Sequence, residues 1–159
     1  MSQRGTIIFI DDERAVRVAG QQTLELAEYE VIPCTLAEQA LRHLSRDWPG
    51  IVISDVRMPG MDGFTLLQQT RGLDPELPVI LITGHGDIAM AVHAIHEGAY
   101  DFIEKPFPAE LLVDAARRAL ERRRLVLENR ALKSELAGRG TNGTAIVGKT
   151  FAMERLRAT

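Results

Sequence analysis

Acidic residues follow two apolar, β-branched stretches of the sequence. The more central stretch ends on Asp55, and the first stretch of the chain is followed by Asp11, Asp12 and Glu13. The carboxyl ends of parallel strands meet at one edge of a sheet, so these carboxylates are expected to lie together. Because such a cluster repels itself unless a cation is present, the pattern predicts an oxygen-ligand site for a hard divalent ion, with Mg²⁺ as first choice.

Two further apolar stretches add a hydroxyl and an ammonium group to the same edge. One ends on Thr83, and the other is followed by Glu104 and Lys105. Carboxylates, a metal ion, a hydroxyl and a lysine together suit the binding of a phosphoryl group. Capping of the following helix could account for Asp11 or Asp12 alone, but not for the whole set.

The elements that must position these residues alternate between strand and helix patterns. Residues 29–34 form one more short strand, which Pro33 assigns to an edge of the sheet. Its Cys34, the only cysteine, is expected to be a buried thiol. Five strands alternating with five helices predict an α/β fold with a five-stranded, parallel, doubly wound sheet.

These ordered motifs resemble those of the receiver domains of two-component response regulators. The resemblance rests on Asp11-Asp12, the stretch from Asp55 to Gly63, Thr83-Gly84 and Lys105-Pro106, and it covers roughly residues 5–120. One short motif arises easily by chance, whereas four in the same order and spacing rarely do. The resemblance implies a flavodoxin-like receiver domain over residues 1–120.

The resemblance also implies how a phosphoryl group is received. Asp55 would be the phosphoacceptor, and a sensor histidine kinase would be the donor. Asp12 and Asp55 would be side-chain ligands of Mg²⁺, with Asp11 contributing through water. The backbone carbonyl of Arg57 would complete the metal site.

Three further roles are implied by the resemblance. Thr83 and Lys105 would contact the phosphoryl oxygens, and the Lys105-Pro106 peptide bond would be cis. Phe102 would be the aromatic switch residue, turning inward when Thr83 moves toward the phosphoryl group. The surface formed by the fourth helix, the fifth strand and the fifth helix would change as a result.

The last helical pattern begins near Pro108 and continues to about Leu136, longer than a receiver domain needs. We predict a coiled-coil dimerisation linker over residues 121–137 that is continuous with the last receiver helix. An Asn at an a position favours a two-stranded parallel coiled coil, and Glu128 and Lys133 have the spacing of an interhelical ion pair. A single solvated helix is the alternative. The expected seam consists of Leu125, Asn129, Leu132 and Leu136.

Two groups of charged or ligand-type residues are expected to have no site chemistry. The run Arg122-Arg123-Arg124 could suggest contact with DNA, but the interleaved glutamates indicate a solvated helix face. His93 and His96 are three residues apart on one helix and lack a third ligand, so a solvated or dimer-facing pair is expected. His85 lies in a loop from which joint chelation is awkward.

The C-terminal segment predicts a flexible linker over residues 138–145. Residues 143–150 match the phosphate-loop pattern, but only linker precedes them, so we reject ATP binding there. Residues 146–159 instead resemble the opening of the AAA+ ATPase domain of sigma-54-dependent (NtrC-type) activators, truncated here. Within that family, the Thr83–Val92 and Ala99–Phe107 stretches resemble most the dicarboxylate-transport regulators.

The function expected from the resemblance is regulatory rather than enzymatic. A phosphorylated homodimer would control a downstream AAA+ domain acting on sigma-54 RNA polymerase, with DNA bound only through a C-terminal domain missing from this chain. The net charge of −3 and the lack of a leader or apolar span favour a cytoplasmic protein without membrane contact. The alternative is a Mg²⁺-dependent phosphatase of haloacid dehalogenase type, whose chemistry needs a second acid where Arg57 stands.

Overall fold

The computed structural model describes residues 5–84 and 86–143, and side chains as far as 136. Strands and helices alternate throughout this part of the chain. The strands are β1 (Thr6–Ile10), β2 (Glu30–Cys34), β3 (Ile51–Asp55), β4 (Val79–Thr83) and β5 (Asp101–Glu104). The helices are α1 (Arg14–Leu26), α2 (Ala37–Leu41), α3 (Gly63–Leu73), α4 (Ile88–His96) and α5 (Ala109–Gly143).

The five strands form one parallel sheet in the order β2-β1-β3-β4-β5. The predicted doubly wound α/β fold is therefore confirmed. Pro33 lies in β2, an edge strand, where its missing N–H costs the sheet no inner hydrogen bond. Cys34 of the same strand is buried, and its burial raises the pKa of the thiol.

Each face of the sheet carries its own hydrophobic core, because successive side chains of a strand point to opposite faces. Ile7 and Phe9 of β1 pack on the face covered by α1 and α5, whereas Ile8 and Ile10 pack on the face covered by α2, α3 and α4. The inner strands β3 and β4 are buried on both faces, which explains their continuous apolar sequences.

The helices that follow β3 and β4 begin at side-chain caps. Asp62 accepts a hydrogen bond from the Thr65 N–H at 2.8 Å, and Asp87 accepts one from the Met90 N–H at 2.8 Å. Helix α4 buries Ala94 but leaves a row of larger apolar side chains in water. Their exposed fractions are 83% for Ile88, 62% for Val92 and 50% for Ile95.

Helix α5 has 35 residues. The chain divides into two compact units between Arg124 and Leu125, past the receiver boundary expected at residue 120. The expectation that residues 122–124 form a solvated face is wrong for Arg123, which is fully buried. Its guanidinium is paired with the buried carboxylate of Asp74, a partner far away in sequence that helical periodicity does not reveal.

The backbone of α5 continues to Gly143, through most of the segment expected to be a flexible linker. Extending an existing helix is far easier than starting one, so glycines near its end do not by themselves stop it. Residues 144–159, including the segment that resembles an AAA+ opening, lie outside the described residues. Among the helices described, none has the length and apolar character that crossing a membrane requires.

Candidate functional site

The register of β1 and β3 brings the two acidic strand ends together. Ile10 is paired with Ser54, so Asp11 comes next to Asp55 at the carboxyl edge of the sheet. Asp11 is fully buried and Asp55 is 6% exposed, whereas Asp12 is exposed at the edge. Ligand oxygens of Asp11, Asp12 and Asp55 all lie within 4.8 Å of one another, which makes this trio a candidate metal site.

The register of β4 and β5 brings the hydroxyl and the ammonium group to the same edge. Thr83 is paired with Glu104, and the Lys105 N–H donates to the Thr83 carbonyl at 2.7 Å. The Lys105-Pro106 peptide bond is cis. Thr83 is 1% exposed, and Arg57, Thr83 and Lys105 line one cavity of about 730 Å³ together with Asp12 and Asp55.

Gly63 allows α3 to begin directly beside the end of β3. Its N–H donates to the Val56 carbonyl at 2.8 Å, and a Cβ on Gly63 would lie 2.5 Å from the Asp55 carbonyl oxygen. A side chain cannot be accommodated at that distance from fixed backbone. The Gly63 position of the motif therefore has a packing role, since it lets the chain turn closely around the Asp55 strand end.

Lys105 provides the positive charge of this edge. Its Nζ lies 3.2 Å from Asp11 Oδ2, 3.3 Å from Asp55 Oδ2 and 3.5 Å from Glu13 Oε1. Its side chain is 14% exposed. Three carboxylates contact one ammonium group, and Asp12 lies beside Asp11 and Asp55 as a fourth acid. The site therefore retains a strong attraction for a further cation.

Burial and mutual repulsion act on the charges of the site. Burial, reinforced by repulsion from Asp55, raises the pKa of Asp11, although the Glu13 N–H and Lys105 act in the opposite direction. Burial lowers the pKa of Lys105, but attraction to Asp11 and Asp55 outweighs it, and the net pKa is raised. Lys105 therefore stays charged at neutral pH, and Asp11 carries its negative charge at a cost.

Sequence reasoning left two supporting residues out of the site. Glu13 belongs to the acidic run, and its carboxylate also pairs with Lys105. Arg17 of α1 donates from Nη1 to the Asp11 carbonyl at 2.8 Å and so fixes the backbone that carries the acids. Its position, little more than one helical turn after the acidic run, is the signal that could have identified it.

Thr83 and Phe102 both flank Gly86 in the loop between β4 and α4. A Cβ on Gly86 would lie 2.7 Å from Thr83 Cγ2 and 3.0 Å from Phe102 Cε2. The loop therefore packs directly on both residues that were assigned to a switch. The four residues of the expected coiled-coil seam lie in the second unit.

The fold and this edge define a class of protein. The chain belongs to the response regulator receiver domain family, whose family model matches residues 7–117. It is similar over its full length to the C4-dicarboxylate transport transcriptional regulatory protein DctD of Rhizobium meliloti (strain 1021), with 56% identity. Identity to the protein of the same name from Pseudomonas aeruginosa is 52% over 95% of the chain.

The match to solved structures agrees with this assignment. The solution structure of the beryllofluoride-activated NtrC4 receiver domain dimer superimposes with a TM-score of 0.69 at 30% identity, covering 74% of this chain and 98% of that one. The predicted receiver resemblance is confirmed, and the phosphatase alternative finds no support. The chain spans 34% and 33% of the lengths of the two DctD relatives, about a third of each.

Proposed function

We propose that this chain receives a phosphoryl group on Asp55 from a sensor histidine kinase. The observation that carries the proposal is the position of Lys105 Nζ, 3.3 Å from Asp55 Oδ2 and 3.2 Å from Asp11 Oδ2. A cation held at this position would offset the negative charge that develops on the transferred oxygens. Asp55 is only slightly exposed and lines the cavity, so a phosphoryl donor would approach it from the cavity side.

The residues present fit a magnesium ion. The donor set is oxygen only, and Asp12 is exposed enough for an ion to keep several waters, as Mg²⁺ prefers. Asp12 and Asp55 would be direct ligands, Asp11 would act through water, and the Arg57 carbonyl would complete the set. Bound Mg²⁺ supplies charge neutralisation for the acids and the phosphoryl oxygens.

In the proposed transfer a carboxylate oxygen of Asp55 attacks the phosphorus of a phosphohistidine. A P–O bond forms as the P–N bond breaks, and the electron pair leaves with the imidazole nitrogen. Lys105 and the Thr83 hydroxyl hold the transferred oxygens. Water later hydrolyses the acyl phosphate, so the domain catalyses its own phosphorylation and dephosphorylation and is otherwise regulatory.

The kinase has a surface to approach beside Asp55. The cavity continues from the acidic edge between the start of α1 and the segment before α5, where its walls are small or apolar. Such a groove suits an apolar helix face that presents a histidine to Asp55. The walls of this part are formed by Ala15, Val16, Ala19, Thr23, Phe107 and Ala109.

The output is proposed to pass through Thr83 and Phe102. A phosphoryl group brings nearly two negative charges and strong acceptor oxygens, toward which the Thr83 hydroxyl would move. Because Thr83 and Phe102 flank the same glycine, movement of one changes the space available to the other. The apolar row on α4, with Ile88 83% exposed, is the neighbouring surface that would re-pair between two copies.

The second unit is proposed to hold two copies together. Leu125, Leu132 and Leu136 are 50%, 55% and 62% exposed, and Asn129 is exposed between them. This row along one helix is the seam expected of a coiled coil. The homodimer would control a downstream AAA+ domain that acts on sigma-54 RNA polymerase, and a further domain would bind DNA.

Phosphoryl uptake by the whole chain tests the proposal. Incubation with acetyl phosphate and Mg²⁺ is expected to add one phosphoryl mass that hydroxylamine removes. Asp55→Asn should abolish uptake, whereas Asp47→Asn, an exposed acid outside the site, should leave it unchanged. Equal uptake by Asp55→Asn would contradict the assignment of the phosphoacceptor.

A further inference from the structure

Arg123 is a fully buried arginine at the edge of the sheet opposite Asp55. Its Nη1 donates to Asp74 Oδ2 at 2.9 Å and to the Glu76 carbonyl at 3.4 Å. Its Nε donates to the Trp48 carbonyl at 2.8 Å, and its Nη2 to the Arg46 carbonyl at 3.0 Å. A single side chain of α5 is thus hydrogen-bonded to two separate loops.

Asp74 is itself held rigidly. Its Oδ1 accepts from the Glu76 N–H at 3.0 Å, and its own N–H donates to the Thr70 carbonyl at 2.8 Å, where α3 ends. Asp74 is fully buried as well. The carboxylate that receives Arg123 is therefore fixed by the turn between α3 and β4, and not by a flexible surface segment.

The rest of the buried face of α5 is apolar and includes the larger side chains of Leu112 and Leu120. Ala115, Ala116 and Ala119 form its middle part and are all buried. The methyl groups of this middle part present a shallow surface, which defines the axial position of the helix less sharply than interlocking larger side chains do. The guanidinium, by contrast, has directional bonds that hold only in one position and rotation of the helix.

We infer that Arg123 is a buried joint that holds α5 in one axial and rotational position on the receiver. The two loops that it binds lead directly into β3 and β4, the strands that end on Asp55 and Thr83. A change in the receiver then reaches residues after Arg124 through a helix that does not slip. This coupling rests on the proposed function, whereas the joint itself does not.

The test compares amide hydrogen exchange in the wild-type chain with that in the double variant Arg123→Met/Asp74→Asn. The double substitution removes both charges together, and the side-chain amide introduced by Asp74→Asn keeps an oxygen for the Glu76 N–H. We expect amides 120–124 to exchange about tenfold faster or more, while amides 112–116 change less than about twofold. Arg122→Met, at an exposed neighbour, is the matched control and should behave as wild type.

If amides 120–124 of the double variant exchange at the rate measured in the Arg122→Met control, the proposed joint is overturned. If the double variant does not fold, Arg123→Lys replaces it, because lysine keeps the charge but cannot reach all four acceptors. Beryllofluoride tests the coupling: it should change exchange in residues 125–136 of the wild type but not of the double variant. The same response in both, or in neither, overturns the coupling.

Phosphoryl uptake, measured in the same samples, separates the two proposals. The double variant should take up the phosphoryl group at the wild-type rate, because Asp55 lies at the opposite edge of the sheet. A wild type without uptake contradicts the proposed function even when the joint is found. Normal uptake with unaltered exchange of amides 120–124 in the double variant contradicts the joint alone.

Discussion

Two clusters of charged side chains lie at opposite edges of the receiver sheet and are built in different ways. At the carboxyl edge, three carboxylates contact Lys105, whose side chain is 14% exposed, and Asp12 adds a fourth acid beside Asp11 and Asp55. At the amino edge, Arg123 and Asp74 are both 0% exposed and form one pair. The first cluster has too much negative charge and opens into a cavity, whereas the second is neutral as a pair and closed to water.

This difference shows what each cluster is suited to do. Lys105 contacts three carboxylate oxygens at 3.2 to 3.5 Å. A ligand oxygen can replace one of these contacts while Lys105 keeps the remaining ones. Arg123 makes directional bonds to three backbone carbonyls and a carboxylate, all from one fully buried side chain. The carboxyl edge is therefore suited to exchanging partners, and the amino edge is suited to keeping them.

The largest expected effect follows from breaking the closed pair. Arg123→Met leaves the Asp74 carboxylate buried without its cation, which should lower the free energy of unfolding by about 3–5 kcal/mol. Arg122→Met, at an exposed position, should change it by less than about 0.5 kcal/mol. Urea unfolding of the two variants measures this difference. A loss below about 1 kcal/mol for Arg123→Met would mean that water reaches Asp74.

The same contrast explains which parts were predictable from sequence. The carboxyl edge was predictable because each strand has an apolar sequence, and Asp55, Thr83 and Lys105 lie at or just after the ends of these sequences. The joint was not, because Arg123 stands between two exposed arginines and its partner Asp74 follows a different helix. Local periodicity contains no information on such a contact, which depends on how α5 crosses the sheet.

The predicted ends of elements show a similar limit. The cores of the strands follow from their β-branched residues, whereas the contacts of Arg123, beyond the predicted receiver boundary at residue 120, do not follow from the helical pattern. In α4 the large apolar side chains of Ile88 and Val92 face water. A helical period fixes which residues share a face, and only tertiary packing decides which face is covered.

The second prediction concerns metal binding, which should stabilise the open cluster. Mg²⁺ at about 100 times its dissociation constant should raise the free energy of unfolding by about 2.7 kcal/mol. Asp12→Asn should remove most of this gain, and Asp47→Asn should retain it. Thermal unfolding with and without Mg²⁺ measures the effect. Equal stabilisation of Asp12→Asn and wild type would exclude Asp12 as a ligand.

The third prediction concerns the charge of Asp11 in the absence of metal. Because its pKa is raised in the folded protein, protonated Asp11 favours folding below pH 3.8, and this contribution is lost as the pH rises through the raised pKa. Asp11→Asn should therefore be more stable than wild type at neutral pH without Mg²⁺, since the amide oxygen of the variant can still accept from the Glu13 N–H.

The pH dependence of unfolding checks this sign. Asp11→Asn should lack the part of the acid-range change in stability that wild type and Asp47→Asn share. Lys105 does not interfere in this range, because its raised pKa affects stability only above pH 10.5. A metal-free Asp11→Asn protein that is less stable than wild type at neutral pH would show that pairing with Lys105 outweighs the cost of burial.

The smallest expected effect concerns salt. Glu13 is 66% exposed and lies 3.5 Å from Lys105 Nζ, so a double-mutant cycle with Lys105→Met and Glu13→Gln should give a coupling below about 1 kcal/mol. Raising the salt from about 0.1 to about 1 M shortens the screening length from about 10 to about 3 Å and should reduce this coupling further. The cycle with Arg123→Met and Asp74→Asn should be insensitive to salt, because neither side chain is exposed to ions. A coupling between Arg123 and Asp74 that disappears in salt would mean that the amino edge is open to solvent. The two edges would then differ in which charged residues they contain, and not in how well water and ions reach them.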